Sequence, residues 1–219
     1  MRTVSGTSVY STPEEILAPG HTALLLVDMQ NDMCHPDGWF SRQGRDGAAI
    51  RSVVPTLARL LEGARRSGVL PVFIEQTTLP ENQSDPPGWL YFKTRDGRER
   101  TDYTLEGSWG QAVLDELAPA PGEIVVKKNR PSAFHATNLD LILRARGIES
   151  VLVTGCVTQG CVLATALGAS FSGYYTVLCA DGVQSHNARQ HEVALEFLGS
   201  RYDFVTHHQA LRIWGVADG

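Results

Sequence analysis

A chain of 219 residues that is 42% hydrophobic is long enough for one α/β core and too short to require two. Its net charge of −5, with no basic run, argues against nucleic acid or an anionic membrane as a main partner. No stretch approaches the roughly 18 apolar residues of a membrane span, and the N-terminus lacks a signal-like apolar core. Four unclustered cysteines without C-x-x-C spacing suggest neither a disulfide framework nor a zinc site. The expected setting is therefore the reducing cytoplasm.

Residues 1–20 are polar, contain Pro13 and Pro19, and read as a surface arm. The continuous apolar run from His21 to Asp28 suits a strand covered on both faces, as in a parallel sheet. It puts the Asp28 carboxylate at the strand's C-terminal end, where parallel sheets bind ligands, although a loop-capping aspartate would look the same. Residues 34–47 read as loop, in which Trp39 and Phe40 either line a pocket or cover the core. Apolar residues from Val53 to Ala64 follow helical spacing within a helix expected over 50–67 and closed by Gly68. A second strand follows over 69–74.

The polar stretch 75–107, with three prolines, has the length of a functional lid or insertion. Ser108 and Gln111 have the spacing of a capping box, which predicts a short helix over 108–117. A third strand over 123–128 ends in Lys127 and Lys128, a residue type that is usually solvated. Thr137 to Asp140 resembles a capping box for a helix running to Arg146.

The run Ser150 to Thr154 is a buried strand closed by Gly155, and small apolar residues from Cys161 to Ala169 predict a helix packed against a sheet. A thiol in that first turn faces unpaired N–H groups and the positive end of the helix dipole, which favours thiolate. Cys161 is thus a candidate nucleophile, while Cys156 and Cys179 sit in apolar strand runs and read as core. A fifth strand over 173–180, a turn at Asp181-Gly182, a helix over 188–200 and a last strand over 203–206 complete six β/α alternations. They imply a single-domain α/β fold, a doubly wound and mostly parallel six-stranded sheet with helices on both faces.

With the strands ordered 3-2-1-4-5-6, the winding reverses between the first and fourth, opening a crevice flanked by Asp28 and Cys161. Asp28, Lys128 and Cys161 then meet at one sheet edge. Asp28 can take the thiol proton if burial raises its pKa, Lys128 can stabilise both anions, and backbone N–H groups at the helix start can hold an oxyanion. Those steps need no metal or organic cofactor.

The segments Leu25-Leu-Val-Asp-Met-Gln-Asn-Asp32, Lys128 to Phe134 with its Ser-Ala-Phe, Thr137-Asn-Leu and Thr154-Gly-x-x-Thr-x-x-Cys-Val162 resemble the isochorismatase-like cysteine hydrolases. They span most of the chain in the family's order. The resemblance implies a triad of Asp28, Lys128 and Cys161, with Lys128 selected over Lys127 because it stands four residues before Ser132. It also implies a cis Cys156–Val157 bond, an oxyanion hole from the N–H groups of Val157 and Cys161, and a homodimer or homotetramer. Phe204, Ile213 and Trp214 are the apolar C-terminal residues that suggest an interface.

Cys161 favours the amidohydrolase branch, because isochorismatase itself lacks the cysteine. Nicotinamidases carry an Asp-x-His metal motif after the second strand, where this chain reads Glu75-Gln-Thr-Thr-Leu-Pro-Glu. The segments 106–110 and 127–138 look more like ureidoacrylate and carbamoyl amidohydrolases, which implies a small carbamoyl, ureido or linear amide substrate. Trp39, Gln76 and Phe134 are the candidate substrate contacts. A nicotinamidase-type or isochorismatase-type hydrolase, or a non-catalytic binding module on the same fold, are the alternatives.

Overall fold

The computed structural model describes residues 1–95, 97 and 101–216. The N-terminal arm forms a small antiparallel hairpin of β1 (Arg2–Val4) and β2 (Thr7–Val9), followed by the one-turn helix α1 (Pro13–Ile16). The main sheet contains β3 (Thr22–Val27), β4 (Leu70–Gln76), β5 (Ile124–Lys128), β6 (Ser150–Cys156), β7 (Tyr175–Gln184) and β8 (Asp203–Val205). All its pairings are parallel, in the order β5-β4-β3-β6-β7-β8. Numbered within the sheet this is 3-2-1-4-5-6, so the winding reverses between β3 and β6 as the sequence implies.

Each face of the sheet carries its own apolar core. One holds Leu24, Leu26, Phe73 and Leu152 with Leu57, Leu60 and Leu61 of α5 (Val54–Ser67). The other holds Leu25, Val27, Val126 and Val153 with Leu139 and Leu143 of α7 (Leu139–Ala145) and Ala166 of α8 (Leu163–Phe171). Adjacent residues of one strand thus point into opposite cores, which is why these strands read as continuous apolar runs rather than alternating ones.

Several boundaries differ from the sequence reading. The short helix α2 (Asn31–Cys34) leads into the loop expected over 34–47, which contains α3 (Trp39–Arg42), and α4 (Gly47–Arg51) precedes α5. The single helix expected over 50–67 is two, because Pro55 sits in the first turn of α5 and starts it afresh. The segment after β4 contains a 3₁₀ turn and α6 (Pro87–Thr94); residues 96 and 98–100 of the expected lid lie outside the described residues. β7 runs through Asp181-Gly182 to Gln184 instead of turning there, with a register irregularity against β6. α9 (Ala188–Gly199) and α10 (His207–Ile213) close the chain.

The helix expected over 108–117 is absent apart from a 3₁₀ turn at Asp115–Leu117. The Ser108 hydroxyl does accept from the Gln111 N–H at 3.2 Å, but Gln111 Oε1 accepts from Gly107 instead of closing the box on Ser108. Backbone bonds from Asn31 and Asp32 to the carbonyls of Ala112 and Gly110 hold the segment against α2. Gly110 allows that approach, since a Cβ there would lie 2.2 Å from the Asp32 carboxylate.

Of the three C-terminal residues that suggested an interface, Trp214 is interior and the other two are partly buried. Trp214 is buried and its indole N–H donates to the Leu17 carbonyl, while Ile213 and Phe204 pack against the two cores. Among the described residues no helix is long and apolar enough to cross a membrane.

Candidate active site

The crevice between β3 and β6 is built on one close approach. Gly155 has φ +100°, and a Cβ there would lie 2.1 Å from the Val27 carbonyl oxygen, so only glycine lets β6 pass β3 at this point. Asp28 follows β3 immediately, with φ +53°, a left-handed conformation that aspartate tolerates better than most residues. Its N–H donates to Ile74, and its carbonyl accepts from the Gln30 N–H and the Cys156 thiol.

Lys128 ends β5 with its side chain fully buried, whereas Lys127 points outward to an exposed ion pair with Glu106 at 2.9 Å. The period-two alternation of a strand separates these neighbours. Lys128 Nζ donates to Asp28 Oδ2 at 2.8 Å, to Gln76 Oε1 at 2.9 Å and to Cys161 Sγ at 3.2 Å. Asp28 Oδ1 accepts from the Gln76 N–H at 3.1 Å. Gln76 is fixed in turn by Gln30, whose amide accepts from the Gln76 N–H and donates to the carbonyls of Gln76 and Gln111.

Cys161 does not start an α-helix. It lies in a π-helical turn, Thr158–Val162, that precedes α8, and the peptide before it, Cys156–Val157, is cis. The Thr158 hydroxyl is 2.7 Å from His191 Nδ1 of α9, which braces the turn from behind. Burial pushes the Cys161 thiol up to about 12, the Asp28 carboxylate adds to this, and Lys128 opposes it. Desolvation and the facing carboxylate thus work against the thiolate that the sequence reading favoured, and Lys128 works for it. Burial works against the Lys128 charge, but Asp28 and Cys161 hold its pKa above that of an ordinary lysine.

Asp28, Gln76, Val157 and Cys161 line a cavity of about 870 Å³ that opens over the triad. Trp39 joins its wall as expected. Phe134 does not: it packs on Gly168 of α8, with its ring 5.7 Å from Tyr174, away from the cavity. Sequence reasoning missed Trp89, Phe92, Lys93 and Tyr103, which the segment after β4 contributes to the lining. Their signal was present in the aromatic residues scattered through an otherwise polar stretch.

The positions after β4 do not suit a metal. Thr77 Oγ1 accepts from Gln111, Thr78 Oγ1 accepts from Lys93, and the buried Lys93 ammonium, paired with Asp85 at 2.6 Å, already supplies positive charge there. Among the described residues no group of three or more His, Cys, Asp or Glu could hold an ion.

Residues 22–210 match the isochorismatase domain. The chain belongs to the isochorismatase family. It is 31% identical over 212 residues to the ureidoacrylate amidohydrolase RutB of Methylobacterium radiotolerans, covering 92% of this chain and 82% of that one. The Enterobacter RutB is 34% identical over 185 residues, 80% of each chain. Among solved structures, N-carbamoylsarcosine amidase from Thermoplasma acidophilum superposes with a TM-score of 0.66 at 28% identity, covering 85% of this chain and 96% of that one. An isochorismatase-like hydrolase from Alkaliphilus metalliredigens gives 0.72 at 28% identity, over 89% and 99%. The chain is a hydrolase of non-peptide C–N bonds.

Proposed function

We propose that this hydrolase cleaves the C–N bond of a carbamoyl, ureido or linear amide compound through a covalent intermediate on Cys161. The observation that carries the reading is the single ammonium of Lys128 bonded at once to the Asp28 carboxylate and the Cys161 sulfur. That arrangement keeps one proton available between base and nucleophile while the flanking charge stays fixed.

In the resting site the thiol is protonated and faces the Asp28 carboxylate. Asp28 takes that proton as Cys161 Sγ attacks the amide carbon, and Lys128 stabilises the sulfur anion as it forms. The carbonyl oxygen becomes an oxyanion held by the N–H groups of Val157 and Cys161, a role supported by the place of both residues on the cavity wall. Asp28 returns the proton to the nitrogen, the C–N bond breaks, and ammonia or an amine departs from the acyl thioester, or thiocarbamate for a ureido compound. Water, deprotonated by Asp28, then attacks the acyl carbon, and Cys161 leaves and recovers its proton.

Gln76 acts in this scheme by orienting Lys128 and Asp28 rather than by touching substrate. The segment after β4 serves as the cover of the cavity, to which it contributes Trp89 and Tyr103. The ureido or carbamoyl preference follows the relatives named RutB and N-carbamoylsarcosine amidase. Ammonia release from a panel of ureido acids, carbamoyl compounds and primary amides tests the reading: turnover that disappears in Cys161→Ala supports it, and turnover retained in that variant refutes it.

A further inference from the structure

The turn that carries Cys161 has little support of its own. Thr158–Val162 is π-helical, a rare geometry that is frequent at functional sites, and the Gly160 and Val162 N–H groups share the Val157 carbonyl at 2.9 and 3.3 Å. This short stretch nevertheless holds the Cys161 sulfur 3.2 Å from Lys128. It also carries or borders the two N–H groups of the proposed oxyanion hole. Its outside support comes from α9, where consecutive residues of the helix meet consecutive residues of the turn. Thr158 Oγ1 lies 2.7 Å from His191 Nδ1, and Gln159 Nε2 donates to Gln190 Oε1 at 3.0 Å.

The two pairs are unequal. Gln159 and Gln190 stand on the cavity wall and their bond is exposed, where water competes for it. Thr158 is fully buried, and neither it nor His191 lines the cavity, so the imidazole is the partner of a hydroxyl that solvent does not reach. Burial lowers the His191 pKa against a smaller opposing effect of Glu192, which keeps the ring neutral near pH 7 and places no charge behind the turn. The helix that presents this ring is itself indexed to the sheet. Gln184 at the end of β7 pairs with Cys156 at the end of β6. Gln184 Oε1 accepts from the Ser185 N–H at 2.9 Å, Ser185 Oγ accepts from the Asn187 N–H at 3.1 Å, and Asn187 Oδ1 caps α9 by accepting from the Gln190 N–H at 2.9 Å. Ala194 and Leu198 bury the next turns of the helix. The contact of His191 with Thr158 thus closes a ring that leaves β6 at Cys156 and returns to the chain two residues later.

We propose that His191 is a positioning residue of the reaction, which acts through the Thr158 hydroxyl to hold the Cys161 sulfur and the two oxyanion N–H groups in register with Lys128 and does not touch substrate. The inference rests on the reading of Cys161 as nucleophile. A buried hydroxyl deprived of its partner is costly, and the turn relieves that cost by moving. Such a movement falls on the chemical step, because reacting atoms tolerate little misplacement, and it leaves the cavity wall that binds substrate in place.

Steady-state ammonia release by full-length variants, from an amide that the unmodified enzyme hydrolyses, tests the role. His191→Phe keeps a ring and removes the polar atom, whereas His191→Asn loses the ring and keeps a polar atom on Cγ where Nδ1 stands. His191→Phe is expected to lower kcat by about tenfold to a hundredfold with KM changed by less than about threefold. His191→Asn should recover most of that loss, the reverse of the order expected for a residue that only packs. Thr158→Val, nearly isosteric, reads the same contact from the other side and keeps the test open if His191→Phe does not fold. It should lower kcat as His191→Phe does, and the two together should lower it no further. An unchanged kcat in both variants, a better recovery by Phe than by Asn, losses that multiply in the double variant, or a loss confined to KM would overturn the inference. Ammonia release that needs Cys161 but ignores His191 removes this inference alone and leaves the proposed hydrolysis standing. Release that survives Cys161→Ala removes both.

Discussion

The Lys128 ammonium lies 3.2 Å from the Cys161 sulfur, on a side chain with no solvent exposure, while its neighbour Lys127 is half exposed and paired with Glu106. One residue along the strand separates a group in the reaction path from one on the surface. Lys128→Met should remove hydrolysis and, by leaving the buried Asp28 carboxylate unpaired, lower stability by about 3–5 kcal/mol. Lys127→Met should change neither by more than about 0.5 kcal/mol in stability or severalfold in rate. Ammonia release and urea denaturation read both.

The Asp28 carboxylate is one of the groups that push the Cys161 thiol up, and Lys128 is what opposes it. Removing the carboxylate charge in Asp28→Asn must therefore lower the thiol pKa from about 12, which raises the thiolate fraction at any pH below that value. Iodoacetamide should alkylate Cys161 faster in Asp28→Asn than in the unmodified protein at pH 8, although the variant no longer turns over. In the unmodified protein the alkylation rate should keep rising with pH towards 12. Slower alkylation in Asp28→Asn, or a plateau near pH 7, would contradict this electrostatic account.

Gly155 was legible in sequence as the end of a strand and part of the motif before Cys161, and it also fixes how closely β6 passes Val27. Gly155→Ala combines a φ of +100° with a Cβ placed 2.1 Å from backbone oxygen. A destabilisation of at least about 3 kcal/mol is expected from the clash and the backbone conformation together. Thermal unfolding indistinguishable from the unmodified protein would contradict it.

The fold was readable because its strands are short apolar runs whose ends carry the chemistry, and Asp28, Lys128 and Cys161 each stand at or just beyond such an end. What escaped was set by contacts distant in sequence. The segment 108–112 has the letters of a capping box but is tethered through its backbone to Asn31 and Asp32. The amide network of Gln30, Gln76 and Gln111 joins three glutamines with no motif between them. Phe134 rested on a motif position alone, and the structure spends it on packing beneath α8. The upward push on the thiol escaped for the same reason, since the Asp28 carboxylate that contributes to it lies far away in sequence.

Trp214 is buried and Ile213 and Phe204 are partly buried, which leaves little of the suggested C-terminal interface, but another apolar surface is available. Leu141 of α7, Phe171 of α8 and Phe197 of α9 are exposed on the helices that cover one face of the sheet, and α7 and α8 are joined there by the Arg144 bond to the Ser172 carbonyl. A homo-oligomer through this face is expected, with light scattering at micromolar concentration giving a dimer or larger. Phe171→Asp with Leu141→Asp should shift it to monomer. A monomer mass for the unmodified protein would contradict the expectation.

The most direct test of the covalent mechanism is intact-protein mass spectrometry of rapidly quenched enzyme during turnover of an amide found to release ammonia. The account predicts a transient mass increase equal to the acyl or carbamoyl group, mapped by peptide digestion to Cys161 and absent from Cys161→Ala. Steady turnover with Cys161 unmodified at every quench time, together with activity in Cys161→Ala, would contradict it.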